Sequence, residues 1–274
     1  MLVLVRGVGD IGSAVAHLLF REGYSVVIHD DPKPTTTRRG MAFADAVFDG
    51  LAVLEGVRAI RAAGLAQVHQ TLAAREVIPV YVGDLGPLLN VFQPAVLVDA
   101  RMRKHAPPEG QRGLALFTIG LGPALVAGHH ADVVVETSWE GLGTVIHDGE
   151  TLPLAGEPRT IGGHARERYV YAPCTGVFHT ALQIGDAVAA RQPVATIEGT
   201  VIAAPLAGTL RGLTHDGVPV TQRTKVIEVD PRDPAGEIAG IGERPRRIAD
   251  GVLIAIRTAR PARETRQARL GPVT

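Results

Sequence analysis

The sequence predicts an α/β fold: a mainly parallel sheet with helices on both faces, followed by a small all-β unit. Three observations carry this. Strand-like and helix-like segments alternate through the first half of the chain. A glycine-rich turn sits between the first apolar strand and the first helical pattern. The second half holds an internal repeat with a 32-residue offset between Pro173 and Pro205. Alternating strands and helices imply parallel pairing, whereas short strands broken by turn signals imply antiparallel packing.

The elements are expected in this order. Leu2 to Arg6 is a short apolar strand, and Ile11 to Glu22 carries Ile11, Val15, Leu18 and Leu19 at helical spacing. Tyr24–His29 is a second β-rich run. Later strands are expected at Val77–Val82, Ala95–Ala100, Leu114–Ile119 and Asp132–Glu136, and helices over part of Val57–Arg75 and over Leu85–Phe92. The stretch Pro32–Gly50 gives no firm pattern. Glycine and proline cluster from Gly141 to Gly163, and Leu152–Pro158 reads as a connector. In the repeat, Ala172-Pro173-Cys174-Thr175-Gly176 matches Ala204-Pro205-Leu206-Ala207-Gly208. Gly185, Val188, Arg191 and Val194 match Gly217, Val220, Arg223 and Val226. A repeat this short cannot close its own core, so the two copies should pack as one unit. The expected divisions are 1–165, 166–232 and 233–274, the last a C-terminal helix and a basic tail. Beyond about Ile256 that tail, rich in arginine, proline and threonine, is expected to be solvated and poorly ordered.

Composition excludes several classes. The 274 residues carry 28 basic and 28 acidic side chains, so no global charge draws the chain to nucleic acid or an acidic membrane. No apolar run approaches the length needed to span a bilayer. The opening Met-Leu-Val-Leu-Val-Arg has no basic stretch ahead of an apolar core, so a cytoplasmic protein without a signal peptide is expected. Cys174 is the one cysteine, which rules out an internal disulfide or a four-cysteine metal site. Lysine chemistry is limited to Lys33, Lys104 and Lys225.

Gly7-Val8-Gly9-Asp10-Ile11-Gly12 fits the G-x-G-x-x-G pattern in its proper context, after a strand and before a helix. The first glycine permits the tight turn, the second lets a pyrophosphate approach the backbone, and the third lets helix and strand pack closely. Amides at the helix start then face the anion. This is the opening of a Rossmann-like nucleotide-binding domain. Asp30 ends the second strand, where an acid can accept a hydrogen bond from a ribose hydroxyl and so favour an NAD-like ligand. Thr36, Arg38 and Arg39, within Thr35-Thr36-Thr37-Arg38-Arg39, suit phosphate or carboxylate recognition or else form a solvated loop. Gly120 and Gly122 follow an apolar strand and allow close backbone approach to a ligand. Asp99 ends another strand as a base, a ribose ligand or a cap. Adjacent His129 and His130 would point apart on a strand, so no metal site is expected there. Cys174 has nothing nearby to activate it. No catalytic residue emerges.

The second region resembles the biotinyl/lipoyl barrel-sandwich hybrid fold, through Ala172-Pro173-x-x-Gly176, Ile184-Gly185-Asp186-x-Val188, Ile197-Glu198-Gly199-Thr200 and Ala204-Pro205-x-x-Gly208. Carriers of that type hold a modified lysine at the hairpin joining the halves. Here that hairpin falls at Glu198-Gly199-Thr200 without lysine, so no covalent biotin or lipoate is expected.

The chain from about residue 3 to 255 resembles the accessory proteins of the selenium-dependent molybdenum hydroxylase system. The matching stretches are Arg6-Gly7-x-Gly9-Asp10-Ile11, Pro34-Thr35 to Arg38-Arg39, Phe43-Ala44-x-Ala46-Val47, Leu97-Val98-Asp99-Ala100, Ile119-Gly120-Leu121-Gly122-Pro123, Ala127-Gly128, Glu136-Thr137, Leu142-Gly143 and Ile161-Gly162-Gly163. Val8 and Glu157-Pro158-Arg159 depart from the family pattern. The resemblance implies a role in maturing molybdenum hydroxylases, a nucleotide-containing ligand such as molybdopterin dinucleotide or NAD, and a hydroxylase subunit as partner. Two alternatives stay open: an NAD-dependent oxidoreductase, and an interaction module on an empty Rossmann scaffold.

Overall fold

The computed structural model describes residues 1–103, 107–153, 158–232, 236 and 238–270, with side chains described as far as residue 259. It is a mixed α/β structure with one large, mostly parallel sheet and two smaller antiparallel sheets.

β1 (Leu2–Arg6) sends Val3 and Val5 to one face of the sheet and Leu4 to the other, as strand alternation requires. The chain turns at Gly7 into α1 (Asp10–Arg21), which buries Ile11, Val15 and Leu19 along one stripe. Asp10 in its first turn complements the helix dipole. β2 (Ser25–His29) returns parallel to β1. The stretch from 32 to 50 makes one 3-10 turn at Arg39–Met41 and then enters α2 (Asp45–Asp49).

The helix expected over part of Val57–Arg75 occupies its second half, and a strand takes the first. β3 (Leu51–Leu54) and β4 (Val57–Ala62) form a hairpin through Glu55-Gly56, with φ +43° and +80°. Positive φ at both central residues is the turn that matches strand twist. α3 (Leu65–Ala74) takes the remainder. β5 (Ile78–Tyr81), α4 (Leu85–Phe92) and β6 (Val96–Asp99) form where expected. β7 (Phe117–Leu121) starts later than expected, leaving Leu114 and Leu116 exposed. β8 (Val133–Val135) and β9 (Val145–Ile146) complete the sheet. Residues 154–157 of the expected connector lie outside the described residues.

The strand order is β3-β4-β5-β2-β1-β6-β7-β8-β9. Strands from β4 to β8 are mutually parallel, and the edge strands β3 and β9 are antiparallel. The connection reverses direction between β1 and β6, which opens a crevice at the carboxyl ends of the strands. Register sets Tyr81, His29, Arg6, Asp99 and Gly120 side by side along that edge.

The β unit follows the repeat. β10 (Tyr169–Tyr171), β11 (Gly176–His179), β12 (Ala187–Val188) and β13 (Pro193–Ile197) form one copy. β14 (Thr200–Ala203), β15 (Gly208–Leu213), β16 (Val218–Val220) and β17 (Lys225–Asp230) form the other. Its two sheets run β10-β17-β15-β12 and β14-β13-β11-β16. Each sheet draws strands from both copies, and exchanging the copies carries one sheet onto the other. The copies therefore share one core, built on Phe178, Ile197, Leu210, Val226 and Val229.

The C-terminal segment holds the expected helix. It is α5 (Glu243–Leu270), a helix that continues well past Ile256. Ile248, Val252 and Ile256 are buried in the same core as α1 and the large sheet. The chain thus leaves the first core for the β unit and comes back to it, because the apolar stripe of α5 needs the face that α1 leaves uncovered. α3 and α4 cover the opposite face over Leu4, Val27 and Leu97. Among the described residues, no helix is long and apolar enough to cross a membrane.

Candidate functional site

The glycine turn has the geometry its sequence requires. Gly7 sits at φ +112°, and a Cβ there would press on the Ala100 backbone at 2.9 Å. A Cβ on Gly12 would run into the Gly7 carbonyl oxygen, so only glycine lets α1 approach β1 this closely. Gly9 differs: the nearest atom to a Cβ there is Thr36 Oγ1, at 3.8 Å. A methyl on the second glycine would therefore make only ordinary contact with the Thr36 side chain.

The turn's amides are partly engaged. Val8 N donates to Asp30 Oδ2 at 2.6 Å, and Ile11 N donates to Asp10 Oδ1 at 3.0 Å. Among the described residues, the Gly9 and Gly12 amides meet no acceptor. Asp30 Oδ1 also accepts from Asp31 N at 2.7 Å. Burial raises the Asp30 pKa, and these two amide bonds oppose it. A carboxylate has about four lone-pair sites, so Asp30 keeps acceptor capacity for a hydroxyl.

The segment from Thr35 to Arg39 joins the turn to the β unit. Leu213 N donates to the Thr37 carbonyl at 2.8 Å. Arg39 is buried: Nε donates to the Leu213 carbonyl at 2.9 Å and a terminal nitrogen to Asp45 at 2.6 Å. Arg38 points the other way. Its guanidinium donates to both carboxylate oxygens of Glu228, at 3.0 and 3.2 Å, and to Asp10 at 3.3 Å.

Glu228, on β17, is fully buried and was not singled out by the sequence. Arg168, Arg211 and Lys225 join Arg38 around it, at 3.0, 2.7 and 3.3 Å. Burial alone would raise the Glu228 pKa, but Arg38, Lys225 and Arg211 outweigh it and hold the carboxyl well below the usual range. Burial would likewise lower Arg38, yet Glu228 and Asp10 hold it above its ordinary value. The sequence signal for Glu228 was an acid in the middle of the run Val226-Ile227-Glu228-Val229. Arg244, in the first turn of α5, docks on the Thr137 carbonyl at 2.9 Å, and burial lowers its pKa.

Other candidates fall into two groups. Gly120 on β7 and Gly122 just after it reach the same edge of the sheet, beside a small pocket lined by Asp99, Met102, Arg103, Glu109, Leu121 and Leu125. Arg101 binds both oxygens of Asp99, so that carboxylate is ion-paired. Lys104, beyond it, lies outside the described residues. The rest are structural. Glu136 accepts from the amides of Thr137, Ser138 and Leu152. His129 and His130 lie in a turn rather than on a strand, and His130 Nδ1 accepts from Val126 N at 2.8 Å. Among the described residues, no group of three His, Cys, Asp or Glu could hold a metal. Cys174 is half-buried against the Ile197 carbonyl. The β13–β14 hairpin turns at Glu198-Gly199, with φ +47° and +76°.

No family model matches the chain. It is 38% identical over 259 residues to the uncharacterized protein YqeB of Escherichia coli (strain K12), an alignment covering 93% of the chain and 47% of YqeB. The chain thus spans about half the length of that curated relative. An aspartoacylase family protein of Mesorhizobium loti aligns at 12% identity with a TM-score of 0.26. The product-bound ectoine utilization protein EutE of Ruegeria pomeroyi aligns at 13% with the same TM-score. Each alignment covers 84% of this chain and 85% of the other. Scores that low carry no assignment of fold or function.

Proposed function

We propose that the chain binds a nucleotide-containing ligand at the Gly7–Gly12 turn and serves the maturation of molybdenum hydroxylases. The large sheet is read as Rossmann-like and the β unit as a barrel-sandwich hybrid. The observation that carries the ligand reading is the pairing of an uncrowded Gly9 with a tightly packed Gly12 at the point where strand order reverses. A diphosphate laid over Gly9 meets the start of α1, where backbone amides and the helix dipole favour an anion. Arg38 neutralises Asp10, so the acid in the turn does not repel that group. Asp30 stands at the ribose position, which suits NAD or the nucleotide half of molybdopterin dinucleotide. The molybdenum assignment rests on the motif resemblance alone.

A second reading, an interaction module with an unused scaffold, is favoured by the two turn amides already held by Asp30 and Asp10. Calorimetry separates the two. The intact chain should bind NAD, ADP or CDP, and Gly9→Glu should lose that binding while keeping its circular dichroism. Undiminished affinity in the variant, or no binding by the intact chain, favours the empty scaffold. Mass spectrometry of whatever leaves the native protein on denaturation would identify the ligand.

A further inference from the structure

Three arginines converge on one carboxylate at the carboxyl edge of the large sheet. Arg6 ends β1, and Arg101 and Arg103 follow β6. Glu109 Oε1 lies 3.4 Å from Arg6, and its Oε2 lies 2.9 Å from Arg101 and 3.1 Å from Arg103. Burial alone would raise the Glu109 pKa, but Arg101, Arg6 and Arg103 outweigh it and lower it. Between the two outer arginines Met102 holds φ +53°, a left-handed conformation that a long side chain seldom adopts and that clusters at ligand sites. The fit at Arg6 is incomplete. Its side chain is only 8% exposed, and one terminal nitrogen donates to Gln111 Oε1 at 2.5 Å but reaches Glu109 only at 3.4 Å. Its Nε is buried without a hydrogen-bond partner among the described residues, which is costly for a charged donor. Glu109, by contrast, is 42% exposed, on the stretch between β6 and β7. Buried Gln111 anchors that stretch, its backbone N donating to the His130 carbonyl at 2.6 Å. The Glu109 side chain can therefore leave the arginines without unpacking the core, and a partly exposed ion pair resists little. It also fills its surroundings: the cavity it lines beside Gly122 has about 20 Å³ left, enough for about one water.

We infer that Glu109 is the internal occupant of an oxyanion-binding site formed by Arg6, Arg101 and Arg103, from which the carboxylate or phosphate of a small-molecule ligand displaces it. Arg101 keeps Nε and one terminal nitrogen on Asp99, so the nitrogen it now gives to Glu109 passes to the ligand. The contact printed by Arg103 is with Glu109 and passes over in the same way. Guanidinium forks match both kinds of oxyanion by paired hydrogen bonds. A free ligand, unlike Glu109, is not tethered to the backbone and can approach Arg6 more closely. The site stands apart from the diphosphate over Gly9 and does not depend on the nucleotide reading.

The test is calorimetry of the full chain with and without Glu109→Ala, using inorganic phosphate and succinate as probes. A side chain on the same molecule competes at an effective concentration in the millimolar range, so its removal should tighten binding of at least one probe by about tenfold or more. The probe that binds more tightly tells a phosphate ligand from a carboxylate one. Adding Arg103→Gln should then weaken that binding by about tenfold, the change expected for one charge-assisted contact. Both substitutions fall on side chains that solvent already reaches, so the circular dichroism should stay unchanged. No gain of binding in Glu109→Ala with either probe, or equal binding with and without Arg103, overturns the site and leaves Glu109 a structural ion pair.

Discussion

Arg38 lays two guanidinium nitrogens on the buried carboxylate of Glu228, at 3.0 and 3.2 Å, across 190 residues of chain. The same guanidinium reaches Asp10 at the start of α1. One side chain thus couples the glycine turn to the β unit, and the electrostatics of the turn depend on a residue in another sheet.

Glu228→Gln should destabilise the protein strongly. It removes a fully buried counter-charge shared by four cations, and breaking a buried pair in this way costs about 3–5 kcal/mol. Urea unfolding monitored by circular dichroism measures it. A loss below about 1 kcal/mol would show that the cations find other partners.

The same carboxylate sets an acid limit. Its folded pKa is depressed, so its stabilisation is complete above the unfolded glutamate value of about 4.3 and drains as pH falls below it. The melting temperature of the wild-type protein should therefore drop more steeply below that pH than that of Glu228→Gln. Parallel curves would contradict the network.

The two glycines should separate by mechanism. Gly12→Ala forces a methyl against the Gly7 carbonyl and should cost about 1–3 kcal/mol, the range for overpacking. Gly9→Ala meets only Thr36 Oγ1 at 3.8 Å, and its φ of −64° suits any residue, so stability should hold. Thermal melts of the two variants decide. Equal melting temperatures would mean that α1 does not pack on β1 as described.

The docking of α5 is tested by its buried stripe. Ile248→Ala should cost about 2–5 kcal/mol, as core truncations do. Ile254→Ala, on the exposed face at 53%, should stay within about 0.5 kcal/mol. If both substitutions are silent, α5 is not part of the first core.

The parts of this fold that were legible in the sequence are those where one local rule decides. β1, the glycine turn and α1 obey spacing alone, and the repeat announced that β10 to β17 share one core. The β3–β4 hairpin was hidden because burial alternates there while hydrophobicity does not. Ala52 and Leu54 are buried, but Leu51 and Val53 are apolar and exposed. A C-terminal helix was expected, but its docking was not, since the arginine-rich composition of α5 masks the stripe Ile248, Val252 and Ile256. The candidate site was legible on the turn side, through Gly9, Asp10, Asp30 and Arg38. Glu228 and Arg244 escaped because Arg38 and Arg168, on the first, and Thr137, on the second, lie far away in sequence. The contact of Arg39 with the Leu213 carbonyl, 174 residues away, was likewise beyond any local pattern.

Backbone NMR of the 15N-labelled chain titrated with ADP, CDP and NAD tests the central claim most directly. The account predicts saturable shifts centred on the amides of Gly9, Asp10 and Gly12, with Asp30 moving alongside them. Shifts confined to other parts of the molecule, or none with any of the three, would contradict it.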